Sequence, residues 1–315
     1  MSRPLRIEYP GAFYHVTSRG NERKAIFKSV RDREKFLEYL ESASTRYGAR
    51  ILAYCLMTNH YHLLVETPEG NLSQVMRHIN GAYTNYFNTK RQRAGHLFQG
   101  RYKAILVEAD EYAKTLSRYL HLNPVAARIV ERPGEYEWSS YNDYVGEREA
   151  PQWLERGLVL AGFGVAGSRR QGAYRDFVEG SLGHDLPNPL EQVVGSTLLG
   201  SEGFVAWAVE HFVKDRARER DVPAVRELVG RPTTEAIREA VTKQWGNDPR
   251  RARQLSMYLC HRYGGQKLCE IAVVFGVGQS AVTQASWRVA AKLSESLELS
   301  EQVGRVKREL GMSDV

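Results

Sequence analysis

The stretch Met57-Thr58-Asn59-His60-Tyr61-His62-Leu63-Leu64-Val65-Glu66 sets two imidazoles on either side of one hydrophobic residue, ahead of an aliphatic run. If His60 to Val65 is a strand, alternation sends His60 and His62 to one face and Tyr61 to the other, with the imidazoles about 7 Å apart along the chain. Side chains so placed can reach one cation between them. They also suit a plainer role, as two half-buried histidines satisfied within a sheet, and two ligands alone make an incomplete site. Arg118-Tyr119-Leu120-His121-Leu122-Asn123-Pro124 offers more. Tyr119 and Asn123 are four residues apart and fall on neighbouring turns of one helix face, where a phenol is a nucleophile and an amide oxygen a hard metal donor. Against this, Tyr112, Leu116, Tyr119 and Leu120 form a stripe suited to packing on a sheet. With 17 tyrosines in the chain, one beside any motif is weak support. Glu66 shares the histidine face, where a place behind the metal ligands competes with that of a solvated carboxylate at a strand end. His15 and His121 are expected as satisfied structural histidines rather than substrate contacts.

Elements to position these groups can be read around them. Phe13 to Ser18 is aromatic and β-branched and reads as a strand, followed by the polar basic turn Arg19 to Lys24. Phe36, Tyr39 and Leu40 predict a helix over 32–47, closed by Gly48. Ile51 to Leu56 and His60 to Val65 read as adjacent strands. A helix begins at Asn71 or Ser73 and runs to about Phe87. Ala104 to Glu108 reads as a fourth strand, and a third helix starts at Asp110 and is expected to stop near Asn123, before Pro124. The order β-α-β-β-α-β-α predicts an α+β fold, a ferredoxin- or RRM-like antiparallel sheet with helices on one face. From about Gly146 to Asp221 Gly and Pro become frequent and the pattern weakens, with some helix expected, notably around Phe204 to Phe212. The expected division is therefore a first domain over 1–148, a connecting and partly helical extension over 149–221, and a helical domain over 222–315.

A chain of 315 residues with 42% hydrophobic residues can bury two cores. The formal charge of +7, pI of about 9.2 and mean hydropathy of −0.47 favour a soluble protein with a polyanionic partner, nucleic acid first. The three cysteines, Cys55, Cys260 and Cys269, form no CxxC pair, which argues against a disulfide framework or zinc ribbon. The opening MSRPLRIEYPGAFYHV has no apolar run of signal-peptide length, and no segment is long enough to span a membrane, so a cytoplasmic, nucleoid-associated protein is expected. Arg19, Asn21, Arg23 and Lys24 follow the first strand, and Lys90, Arg91, Arg93, Arg101 and Lys103 surround Phe98 and Tyr102. Cations mixed with aromatics suit single strands, whose bases stack and whose phosphates need charge, although a charged loop is usually just solvated.

Near the end, Ala272 precedes Gly276 by four positions and Val282 follows six later. A helix-turn-helix needs a small residue where its helices cross, a glycine in the turn and an apolar anchor beyond. Gln279, Ser280, Thr283, Gln284 and Arg288 would then lie on the exposed side of the second helix, whose first residues reach base edges in a major groove. A purely structural helical hairpin is the alternative, and the basic Arg250-Arg251-Ala252-Arg253 tilts the balance towards DNA.

Taken together, the strand with two histidines, the downstream helical tyrosine and the amide one turn beyond resemble the HUH superfamily of single-tyrosine nucleases. More closely, SRGNERKAIF, YCLMTNHYHLLVET, GHLFQGRYKAILVE and SRYLHLNPVAARIV look like REP-associated tyrosine transposases, over about residues 10–144. Ala126 departs from the pattern, since relatives often carry a basic residue there. The resemblance implies cleavage and rejoining of single-stranded DNA at the foot of small repeated hairpins. Tyr119 would attack the scissile phosphate to leave a 5′-phosphotyrosine and a free 3′-OH, with Mg²⁺ or Mn²⁺ held by His60, His62 and Asn123. Metal identity comes from the family, because imidazole and amide donors favour zinc or copper on affinity alone. RRARQLSMYLCHRYGGQKLCEIAVVFGVGQSAVTQA resembles the DNA-binding domain of the replication initiator DnaA over roughly the last 90 residues. That family's Asp-His-Thr-Thr is replaced by Gln279-Ser280-Ala281-Val282, and no GxxxxGK[ST] motif accompanies it. Duplex DNA is thus a second expected partner. Two other classes remain open: a non-catalytic, sequence-specific DNA-binding regulator derived from a transposase, and a small-molecule metallohydrolase using the two histidines.

Overall fold

The computed structural model describes residues 5–165, 167, 169–184, 187–213, 232–264, 266, 268–310 and 312. They fall into two compact units, one over residues 4–208 and one from residue 209 onward. The expected boundary at residues 221 and 222 lies outside the described residues.

In the first unit, β1 (Ala12–Arg19), β2 (Arg50–Leu56), β3 (His60–Thr67), β4 (Lys103–Val107) and the short β5 (Leu198–Leu199) make one sheet in the order β2-β3-β1-β4-β5. Three helices connect its strands in sequence: α1 (Val30–Tyr47), α2 (Leu72–Lys90) and α3 (Ala109–Ala126). The pairs β1–β3, β2–β3 and β1–β4 are antiparallel and β4–β5 is parallel, so the fold is α+β, as expected, on a mixed sheet. Antiparallel register sets Arg19 opposite His60 and Thr17 opposite His62.

Alternation then decides what each face packs. Tyr61 meets Phe36 of α1 at a ring separation of 4.8 Å, and Phe36 meets Tyr83 of α2 at 5.1 Å. The opposite face, with Leu64, is covered by Leu116 and Leu120 of α3. Helices therefore cover both faces rather than one. The chain must return from β4 on the side that α1 and α2 leave open.

Two further local expectations are corrected. α3 does not stop at Asn123 but runs to Ala126 with Pro124 inside it. A proline removes one donor, yet Asn123 Nδ2 donates to the Tyr119 carbonyl at 2.9 Å and Ala127 N to Asn123 O at 2.9 Å, which keeps the last turn bonded. The stretch read as a connection also packs on the first unit. α4 (Tyr141–Val145), α5 (Gly157–Ala161) and α6 (Arg169–Glu179) join the core under α3 through Tyr144, Val159 and Tyr174, and β5 extends the sheet before α7 (Glu202–Phe212).

The second unit is helical: α8 (Thr234–Trp245), α9 (Pro249–Tyr263), α10 (Leu268–Phe275), α11 (Gln279–Glu295) and α12 (Leu297–Glu309). Its core gathers Ile237, Val241, Leu259, Ile271, Val282 and Val306. α10 and α11 meet at 91°. At their corner Gly276 takes φ +60, a left-handed conformation that side chains resist, while Ala272 and Val282 are buried on either side. No single helix among the described residues is long and apolar enough to cross a membrane.

Candidate active site

β3 carries His60 and His62 out of the Thr58–Asn59 turn, and that turn is tied down from outside. Gly20 N donates to Asn59 O at 2.7 Å, Ile26 N to Thr58 O at 3.0 Å, and Asn59 Nδ2 to Arg23 O at 2.9 Å. Gly20 is needed here, because a Cβ would lie 2.1 Å from the Lys24 carbonyl oxygen. With its amide nitrogen so engaged, Asn59 turns Oδ1 to His60 Nδ1 at 2.7 Å. An amide oxygen only accepts, so His60 carries its proton on Nδ1 and keeps the Nε2 lone pair.

The two rings stand 5.0 Å apart, at 75° to one another. Two imidazoles meeting a common ion at about 2 Å need a spacing of this kind. α3 brings Tyr119 across them, its ring 6.0 Å from that of His62 and 6.2 Å from that of His15. Asn123, one turn on, makes its contacts with Tyr119 rather than with a histidine: Nδ2 donates to the Tyr119 carbonyl at 2.9 Å, and the carboxamide also bonds the phenol.

Burial sets the charge state. Desolvation pushes His62 well below the usual histidine value, helped by His15, His60 and Arg19; it holds His60, again with Arg19, at about 4. All are neutral at pH 7, the form that ligates cations. Burial raises the Tyr119 phenol above its usual value, opposed by its hydrogen bond to Asn123. An anion there needs a nearby positive charge. Two imidazoles and a carboxamide are the residue types that could hold one small divalent ion, two from β3 and one from α3.

His15, expected as a satisfied structural histidine, belongs to this group instead. It is buried, lies edge to edge with His62 in nearly one plane, with Nε2 3.0 Å from His62 Nδ1, and its own Nδ1 has no partner. The only local trace is that His15 shares strand parity with Thr17 and Arg19. His121 is the satisfied structural histidine expected, with Nε2 2.8 Å from Ser140 Oγ and Nδ1 2.7 Å from Tyr174 OH. Glu66 is not solvated but buried against Arg50 at 3.2 Å.

Around the site, Arg19, Arg23, Arg93, Arg101 and Lys103 are exposed and Asn21 is half-buried. Loop 91–101 is joined to the end of β1 by Asn21 N donating to Leu97 O and Gln99 N to Arg19 O, both at 2.8 Å. Lys90 and Arg91 are differently employed. Both pair with the buried Asp32, Lys90 at 2.9 Å, and Arg91 lies over the Phe87 ring. Phe98 and Tyr102, expected beside bases, are buried: Phe98 packs on Tyr61 and Tyr102 lies under Arg6. In the second unit Gln279, Ser280, Gln284 and Arg288 are exposed along α11, and Thr283 is half-buried with its hydroxyl on Gln279 O.

A histidine pair facing a tyrosine of the same chain is the arrangement that comparison with known proteins can test. Residues 9–123 match the family described as IS200-like transposase. The match holds every member of the site, from His15 to Asn123, and leaves the later residues outside it. No curated protein matches the chain. Among solved structures, a REP-associated tyrosine transposase bound to a REP hairpin is similar at 18% identity and a TM-score of 0.41, covering 48% of this chain and 89% of that one. A candidate transposase from Deinococcus radiodurans R1 is similar at 16% identity and a TM-score of 0.27, covering 37% and 92%. Both likenesses are distant, and the chemistry of the first unit rests on its own residues.

Proposed function

We propose that this protein is a metal-dependent tyrosine transesterase that cleaves and rejoins single-stranded DNA beside hairpin repeats. One observation carries the reading: the Tyr119 ring lies 6.0 Å from that of His62, on the sheet face that His62 shares with His60. The family match over residues 9–123 supports the same class of substrate.

In this mechanism Tyr119 Oη attacks the scissile phosphorus. The tyrosyl O–P bond forms, the P–O3′ bond breaks, the phenol proton passes to solvent, and the leaving 3′ oxygen takes up a proton to become a free 3′-OH. The 5′ end stays on Tyr119, and attack by another 3′-OH reverses the step without an external energy source. Mg²⁺ or Mn²⁺ held by His60 Nε2, His62 and Asn123 Oδ1 would polarise the phosphate and offset the charge that develops on it. Asn123 acts on the phenol as well, since its hydrogen bond favours the anion that burial resists. Arg19, Asn21, Arg23, Arg93, Arg101 and Lys103 provide the polar and cationic rim for the strand's phosphates.

The second unit serves duplex DNA as a helix-turn-helix similar to that of DnaA. Support comes from the 91° crossing of α10 and α11, Gly276 at the corner, and Gln279, Ser280, Thr283, Gln284 and Arg288 along α11. Held to duplex DNA, it would raise the local concentration of the nuclease near its targets.

The test is a covalent one. A hairpin-bearing single strand incubated with the protein and Mn²⁺ gives a protein–DNA adduct on a denaturing gel. The adduct disappears in Tyr119→Phe and persists in Tyr112→Phe, whose hydroxyl instead bonds Gln192 at 3.0 Å. Binding with neither adduct nor cleavage, across suitable hairpins, would leave a DNA-binding regulator in its place.

A further inference from the structure

The two site histidines are held by different kinds of partner. His60 Nδ1 faces an amide oxygen that only accepts, so its tautomer is set before any ion arrives. His62 Nδ1 faces His15 Nε2 at 3.0 Å, and an imidazole nitrogen can take either part. Both rings are buried, 6% and 1% exposed, and lie edge to edge within 8° of one plane, so neither can turn to another partner without breaking their hydrogen bond.

We infer that His15 is a positioning residue for His62, holding its ring in place and accepting the Nδ1 proton when an ion takes the Nε2 lone pair; the inference rests on the metal-dependent reading above. Each neutral ring has one ring proton to place. If His62 donates from Nδ1, its Nε2 is free to ligate, His15 Nε2 accepts, and the His15 proton sits on Nδ1. If His15 donates from Nε2, the His62 proton sits on Nε2 and that ring cannot ligate. The two protons therefore move together between two arrangements.

His15 Nδ1 makes the arrangements unequal. It is buried without a partner, so it is an orphaned donor in the first and an orphaned acceptor in the second. Buried N–H groups without partners are rarer than under-satisfied acceptors. The empty site thus rests in the second arrangement, and an ion at His62 Nε2 draws the pair into the first. His15 lies behind the ligand, touches neither ion nor DNA, and sets how readily the site fills. Outer partners of histidine ligands commonly carry a tenfold to hundredfold effect on affinity.

The full-length protein is titrated with Mn²⁺ alone, as wild type, His60→Ala, His15→Phe and His15→Gln. Gln can place a carboxamide oxygen near the position of the His15 Nε2 and accept from His62; Phe keeps the ring and offers no acceptor. Mn²⁺ binds wild type, fails with His60→Ala, weakens by roughly ten- to a hundredfold in His15→Phe, and returns to within a few-fold in His15→Gln. Nitrogen-15 imidazole spectra of wild type with Zn²⁺, a diamagnetic probe, place the His62 proton on Nδ1. Loss in His60→Ala together with wild-type affinity in His15→Phe overturns the role of His15 alone. So do equal weakening in the Phe and Gln variants with both folded, and a His62 proton on Nε2 in the Zn²⁺-bound protein. Wild type that binds no Mn²⁺ overturns the metal reading and this inference with it.

Discussion

Asp32 shows how one buried charge can change what its neighbours are free to do. Its carboxyl is fully buried on α1, and burial alone would raise its pKa. Hydrogen bonds from Lys90, the Lys28 backbone and Arg91 outweigh that and hold it at about 2. Lys90 and Arg91, at the end of α2, are thereby spent on the fold. Asp32→Ala removes the partner of both cations and is expected to cost about 3 kcal/mol, since both cations keep some access to water; urea denaturation measures it, and a loss under 1 kcal/mol contradicts the account. The corollary separates two sets of basic residues. Lys90→Ala lowers stability while leaving single-strand affinity within about twofold. Arg19→Ala or Arg101→Ala instead lowers the affinity and flattens its salt dependence by about one phosphate contact. Measured with one labelled hairpin strand, equal salt slopes for all four proteins would remove the distinction.

At the scale of elements, what matters most for the site is that α3 arrives over the histidines and stays there. Its apolar side alone does not fix its rotation. A buried polar chain does: Tyr174 of α6 donates to Ser117 at 3.0 Å and meets His121 Nδ1 at 2.7 Å, and His121 Nε2 meets Ser140 at 2.8 Å, just before α4. Ser140 in turn accepts from Tyr54 N of β2 at 3.0 Å. The helix bearing Tyr119 is thus pinned by the region that its Gly- and Pro-rich sequence had suggested was only a connection. Tyr174→Phe leaves the packing and strands His121 Nδ1, while Ser117 keeps its bond to the Lys114 carbonyl, at a cost of about 1–3 kcal/mol. Adduct formation should fall with it, and Mn²⁺ affinity should fall less, since two of the three proposed ligands lie on β3 and only Asn123 on α3; unchanged stability would show the chain of hydrogen bonds to be ornamental.

For the first unit as a whole, its buried histidines make acid a specific threat. Burial holds His15 at about 4 and His121 at about 3, and burial with Arg19 holds His60 at about 4. These lie below the unfolded value near 6.5, so the unfolded chain takes up protons first as pH falls. Their stabilising effect is complete above about pH 6.5 and is lost as pH drops towards 4, amounting to several kcal/mol in sum. Metal-free protein with chelator should therefore unfold at markedly lower urea at pH 4.5 than at pH 7; equal midpoints would mean these rings are wetter than they look. Much of this molecule was legible beforehand, and for a physical reason. Helical and strand periodicity, the corner glycine and the spacing of His60, His62, Tyr119 and Asn123 are local properties of the chain, and they set the elements and which side of each is apolar. Tertiary structure alone decided that α3 covers the face opposite α1 and α2, that Phe98 and Tyr102 are core, and that Asp32 consumes two cations. It also put His15 behind His62 across 47 positions of sequence. Each of these depends on which distant segments pair, and pairing is settled by the sum of packing over the whole unit, which no single stretch of residues encodes.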